Sequence, residues 1–118
     1  MKNILLVGIG GMLGSVLRYL AALLIKQGSF PLATLSVNIM GSLLIGAIMG
    51  WSVKQPDAEY WRLLLATGIC GGFTTFSAFA WENLQMLQQQ RYGYFCIYTG
   101  GTLILSLIAV AMGYWLTK

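Results

Sequence analysis

Three carboxylates, Asp57, Glu59 and Glu82, are the only acids in the chain, and it has no histidine. Asp57 and Glu59 belong to one short polar turn that begins Lys54-Gln55-Pro56. No Ser/His/Asp set, carboxylate pair or metal-ligand cluster can be assembled from this inventory, and general acid–base catalysis has almost no candidate group. Gly8-Ile9-Gly10-Gly11 is glycine-rich, but it follows no strand and opens no nucleotide-binding unit. An enzyme is therefore not expected. What remains for chemistry is a set of polar residues placed inside apolar sequence. Arg18 is one. Thr34, Asn38 and Ser42 recur at i, i+4, i+8 and share a helix face, and Tyr98, Thr102 and Ser106 repeat that spacing. The densest group is Gly71-Gly72-Phe73-Thr74-Thr75-Phe76-Ser77-Ala78-Phe79. Polar groups in hydrocarbon are costly and usually face a partner or a water-filled cavity, so the pattern suits passage of a small ion better than bond making.

The elements that carry these residues follow from composition. The chain has 118 residues, 58% hydrophobic and only 8% charged, with mean hydropathy +0.75. A soluble domain carries about a quarter charged residues, so this is an integral membrane protein. The net charge of +4 is small and scattered, which argues against nucleic acid as a partner. Cys70 and Cys96 lie in or beside apolar segments and read as small buried hydrophobes.

A spanning helix needs about 20 apolar residues. Four segments qualify within one transmembrane domain over residues 1–118: Ile4–Ile25, Ala33–Val53, Arg62–Gln90 and Phe95–Leu116. The first is too long for a signal-peptide core and reads as a retained span. It ends at Lys26-Gln27-Gly28-Ser29. As one straight helix the third would measure roughly 43 Å, longer than a hydrocarbon core of about 30 Å. Gly71-Gly72 with Thr74-Thr75 can break it near its middle, and freed carbonyls at such a break can hold a cation. Phe76 and Phe79 stand at i, i+3. As core residues they need no explanation; as pore residues their positive ring edges would stabilise an anion.

Basic residues are almost evenly divided. Lys2, Lys54, Arg62 and Lys118 fall on one side, against Lys26, Arg91 and the nearby Arg18 on the other. Orientation normally follows a clear Lys/Arg excess, so near-balance is compatible with insertion both ways, and also with a weak signal arising by chance. The pairs Gly10/Gly14, Gly46/Gly50 and Gly68/Gly72 each put two small residues on one face, for packing either within the subunit or between subunits. Arg18 reads equally as a snorkelling side chain or a vestibule charge, and Tyr98 as a pore residue or an interfacial anchor.

The stretch Gly71–Phe79 resembles the signature of the Fluc (CrcB-type) bacterial fluoride channels. Thr34-Leu35-Ser36-Val37-Asn38 is similar to that family's second-helix motif and Gly14-Ser15-Val16-Leu17-Arg18-Tyr19 to its first, so the resemblance covers the full length. It implies an all-α, four-span subunit with a broken third helix, assembled as an antiparallel dual-topology homodimer in the lipid bilayer of the bacterial cytoplasmic (inner) membrane. It also implies passive fluoride export through two pores and a structural sodium ion at the dimer centre. Carried over, the sodium ligands are the backbone carbonyls of Gly71 and Thr74. The pore residues are Phe76, Phe79, Asn38, Ser77 and Tyr98, while Glu82 and Arg18 fall at a pore mouth or vestibule. Where the family pattern would read TTFSTFS, this chain reads TTFSAFA. Ala78 and Ala80 thus remove part of the polar track, with Thr102 and Ser106 as candidate replacements.

Two rival readings are weaker. A small four-helix dual-topology multidrug exporter relies on an acid in its first helix, and residues 1–25 contain none. A non-transporting membrane subunit would need neither the polar stripes nor the central break.

Overall fold

The computed structural model describes residues 1–25, 28 and 30–118. Lys26, Gln27 and Ser29 of the first turn, and with them the Lys26 contribution to the charge balance, lie outside the described residues. Among the described residues every regular element is helical. Helix α1 covers Lys2–Leu24 and α2 Leu32–Ser52. The third span, Glu59–Gln88, is a composite of α3 (Glu59–Trp61), a π-helix (Arg62–Cys70), α4 (Gly71–Phe73) and α5 (Phe76–Gln88). Helix α6 covers Tyr92–Thr117. All four spans are long and apolar enough to cross a membrane. The long dimension of 50 Å fits a bilayer of about 40–45 Å including headgroups.

Two side-by-side parallel pairs build the subunit: α1 with the first half of the third span, and α2 with α6. Lipid tails are as apolar as leucine, so helices in a membrane associate through close packing more than through the hydrophobic effect. The glycines supply that closeness. A Cβ on Gly10 would strike the Leu64 carbonyl and Gly68, and one on Gly14 the Ile69 carbonyl and Phe73. Gly72 is pressed against the backbone of Gly11 in the same way. On the other pair, Gly46 abuts Val110, Gly50 abuts Tyr114, and Gly113 abuts Leu43 and Ala47. All three small-residue pairs are thus used within the subunit. Thr117 adds a polar clasp at the end of this seam, its Oγ1 donating to the Ala47 carbonyl at 2.7 Å.

The third span is interrupted, but later than its glycines suggest. Gly71 is helical (φ −61°, ψ −39°), as is the rest of α4. Thr74 (φ −84°, ψ 156°) and Thr75 (φ −149°, ψ 118°) are extended. β-Branched residues favour extended backbone, while Gly72 is required for contact with α1. Cys96 is exposed on α6, unlike the buried Cys70, so only one of the two cysteines is a buried hydrophobe.

Candidate ion-conducting site

The site grows from the two extended threonines. Thr74 closes the helix before it, with Oγ1 donating to the Cys70 carbonyl at 2.9 Å. Thr75 opens the helix after it: its Oγ1 accepts from the Ala78 amide at 3.2 Å, an N-cap that satisfies one orphan donor of α5. Asn38, reaching across from α2, locks Thr75 in place. Its Oδ1 accepts from the Thr75 amide at 2.9 Å, and its Nδ2 donates to the Thr75 carbonyl at 3.1 Å. One side-chain amide thereby does what a neighbouring strand would do for an extended residue.

This arrangement diverts two amides. In an unbroken helix the Thr75 N–H would close on the Gly71 carbonyl and the Ala78 N–H on the Thr74 carbonyl. Here those donors go to Asn38 and to Thr75 Oγ1. The carbonyls of Gly71 and Thr74 lose the partners a continuous helix would give them. Uncharged oxygens of this kind fit a sodium ion, which takes oxygen ligands and is held elsewhere in membrane proteins by unwound backbone.

Gly71, Thr74, Phe76 and Phe79 also border a cleft of about 380 Å³ between the third span, α2 and α6. Its polar wall comes from Asn38 and Ser42 on α2 and Thr102 and Ser106 on α6, the two faces that the i, i+4 spacing marks out. Thr102 Oγ1 and Ser106 Oγ are buried without a hydrogen-bond partner among the described residues. Buried polar atoms are normally paired, so two orphaned hydroxyls beside a cleft point to something that visits it.

From the cleft a file of aromatic rings leads along α5. The rings of Phe76 and Phe79 are 5.7 Å apart, and Phe79 and Tyr98 5.0 Å apart. Phe76 is 78% exposed while Phe79 is buried. Tyr98 is fully buried, which rules out an interfacial anchor. Its hydroxyl donates to Glu82 Oε1 at 3.0 Å. Phe30 packs edge-on against the Tyr98 ring with centroids 5.6 Å apart. Beyond Tyr98, Glu82 borders a polar pocket of about 330 Å³ with Gln85, Gln89 and Arg91.

Two expected members stand apart from this file. Ser77 is exposed in the first turn of α5, its hydroxyl 3.2 Å from that of Thr75, and it does not line the cleft. Arg18 lines a separate pocket of about 310 Å³ with Ser15, Thr34 and Thr75, behind the break. Its Nε is buried with no partner among the described residues, so the side chain does not simply snorkel. Phe30 and the π-helix were not visible in the sequence. Phe30 sits in a polar turn with no periodicity, and a widened helix has no residue signature.

The family model for the CrcB-like proteins, "Camphor Resistance (CrcB)", matches residues 5–114. The chain belongs to this family. It is similar to the fluoride-specific ion channel FluC of Phocaeicola vulgatus, with 42% identity over 121 residues covering 100% of both chains. Its similarity to the protein of that name from Flavobacterium psychrophilum is 44% over 122 residues, covering 100% of this chain and 98% of the relative. For that from Chlorobium chlorochromatii it is 45% over 117 residues, covering 94% and 88%. CrcB membership and four apolar spans make this a multi-pass membrane protein. These CrcB relatives are named as channels and not as enzymes, in agreement with the missing catalytic groups.

Proposed function

We propose that the chain is a fluoride-selective channel that exports fluoride passively across the bacterial cytoplasmic membrane. Full-length similarity to proteins named fluoride-specific ion channels supports the substrate. The observation that carries the mechanism is the aromatic file Phe76–Phe79–Tyr98 running from a cleft with two unpartnered hydroxyls. Fluoride is small and strongly hydrated, so a pore must replace its water shell without trapping it. Hydroxyl donors of Thr102 and Ser106 replace part of that shell, and the positive ring edges of the phenylalanines supply weak, repeated attraction. Among the described residues no lysine or arginine borders the cleft, so the anion meets no full charge there that would hold it. In this reading Thr102 and Ser106 take over the polar track lost at Ala78 and Ala80, and Asn38 and Ser77 support the break.

The working unit in this proposal is an antiparallel homodimer with two pores, inserted in both orientations. The near-balance of basic residues supports dual insertion. Exposed Gly71 and Phe76 beside an open cleft support a second copy covering that face. The Gly71 and Thr74 carbonyls of each copy would then hold one central sodium, which supplies positive charge to tie the two breaks together. The deciding experiment is anion efflux from liposomes containing the purified protein. Fluoride leaves at a rate proportional to protein, without a proton gradient, while chloride stays. Fluoride release no faster than from empty liposomes would overturn the reading, and a requirement for a proton gradient would favour an exchanger.

A further inference from the structure

A further concave site lies at the opposite end of the molecule from Glu82. The start of α1, the end of α2, the start of the third span and the end of α6 meet here, as the Lys2 ammonium 5.6 Å over the Tyr60 ring and the Thr117–Ala47 bond establish. Between α2 and the third span runs an open groove of about 370 Å³, lined by Ala47, Ile48, Trp51, Trp61 and Leu65. Every lining residue is apolar apart from the two indole N–H groups. Trp51 stands one residue before the last residue of α2, and Trp61 ends the three-residue α3. Tryptophans at the ends of spans sit at headgroup level, so the groove descends from the interface into the acyl region.

The charge at this end of the molecule is basic. This end holds Lys2, Lys54, Arg62 and Lys118 against only Asp57 and Glu59. Arg62 follows Trp61 directly, and Lys54 lies in the turn that ends the Trp51 helix, its amide bonded to the Trp51 carbonyl at 3.2 Å. Both are exposed, and neither has an ion-pair partner among the described residues. Neither lines the groove itself, but each lies within three residues of one of its tryptophans. An apolar slot with two such cations beside it in the chain matches a ligand with a hydrocarbon tail and an anionic head.

We propose that this groove seats an acyl chain of an anionic phospholipid whose phosphate is held by Arg62 and Lys54. A guanidinium can grip two phosphate oxygens at once, and the lysine adds a point charge beside it. The candidate ion-conducting cleft shares no lining residue with this groove.

Brominated lipids test this through tryptophan fluorescence. The chain has four tryptophans; Trp81→Phe and Trp115→Phe leave Trp51 and Trp61 as the reporters. This background is reconstituted into phosphatidylcholine vesicles carrying, at equal mole fraction in both leaflets, either acyl-brominated phosphatidylglycerol or acyl-brominated phosphatidylcholine. Phosphatidylglycerol is expected to quench more strongly, with a local enrichment on the order of fivefold per basic residue. Lys54→Gln with Arg62→Gln removes the excess, and Lys54→Arg alone retains it. Equal quenching by the two lipids overturns the proposal, as does an excess that survives the double substitution. Absence of quenching by either lipid also overturns it, because a second copy of the chain then covers the groove. If the double variant does not reconstitute, the comparison of the two lipids in the background protein decides alone.

Discussion

Asn38→Ala removes both hydrogen bonds that keep Thr75 extended, at 2.9 and 3.1 Å, from a residue that is only 9% exposed. Interhelical hydrogen bonds in membranes average about 0.6 kcal/mol and reach about 1.7, so the pair contributes about 1–3 kcal/mol. The loss falls on one side of a choice. Freed from Asn38, the Thr75 amide can close on the Gly71 carbonyl and heal the third span into continuous helix, recovering one of the two bonds. At about 1.4 kcal/mol per factor of ten, the balance moves roughly fivefold to 150-fold toward the healed form. Healing consumes the Gly71 carbonyl and turns Phe76 and Phe79 relative to the cleft. Fluoride efflux per milligram of reconstituted protein is therefore expected to fall about fivefold or more. Asn38→Asp keeps the acceptor for the Thr75 amide but loses the donor to its carbonyl, and its flux should lie between. The measurement is initial efflux rate with a fluoride electrode, alongside thermal stability in detergent. Asn38→Ala protein that conducts within twofold of the parent would refute the clamp.

Replacing Phe76 or Phe79 with Ile keeps apolar bulk but removes the positive ring edge; intact protein with severely reduced fluoride flux is expected, and normal conduction by both variants would reduce the rings to packing. Gly14→Leu and Gly71→Leu separate subunit folding from assembly: a side chain at Gly14 strikes the Ile69 carbonyl, whereas one at Gly71 meets nothing nearer than the Ala66 carbonyl at 3.8 Å. Gly14→Leu should unfold or aggregate on size-exclusion chromatography, while Gly71→Leu should leave a folded subunit that no longer pairs or conducts; full dimer and flux with Gly71→Leu would exclude a close second copy there. Two lysines added beside Lys2 should fix a single orientation in cysteine-accessibility mapping and abolish flux, and undiminished flux from a single orientation would argue against an antiparallel pair.

Much of the fold was legible because hydrocarbon leaves the chain few options. Backbone groups cannot be satisfied by water there, so each apolar run of sufficient length must be a helix. The ends agree to within about three residues: Ile4–Ile25 is observed as Lys2–Leu24, and Phe95–Leu116 as Tyr92–Thr117. The α6 discrepancy comes from Tyr92 and Tyr94, aromatic residues at the interface that continue the helix outside the hydrophobic run. The glycines of the third span were legible as an anomaly but not in their use. Composition assigns the break to Gly71-Gly72 and Thr74-Thr75 together, whereas the structure keeps both glycines helical and breaks at the threonines alone. Gly72 is needed where α1 approaches, and no local pattern reveals an approach by another helix.

Residue types and spacing by themselves determined the class, the four spans, the lack of catalytic groups, and the polar faces through Asn38 and Thr102, because each depends on solvent and on helix period alone. Tertiary structure alone decided what those polar groups are for. Asn38 spends both ends of its amide on Thr75, which a stripe at i, i+4, i+8 cannot indicate. Tyr98 turns inward to Glu82 instead of anchoring at the interface, although its distance from the helix end permits either. Thr102 and Ser106 keep unpartnered hydroxyls beside the cleft, while Ser77 pairs with Thr75 and faces away. A hydrogen bond between spans joins residues distant in the chain, so its partner exists only once the helices have packed.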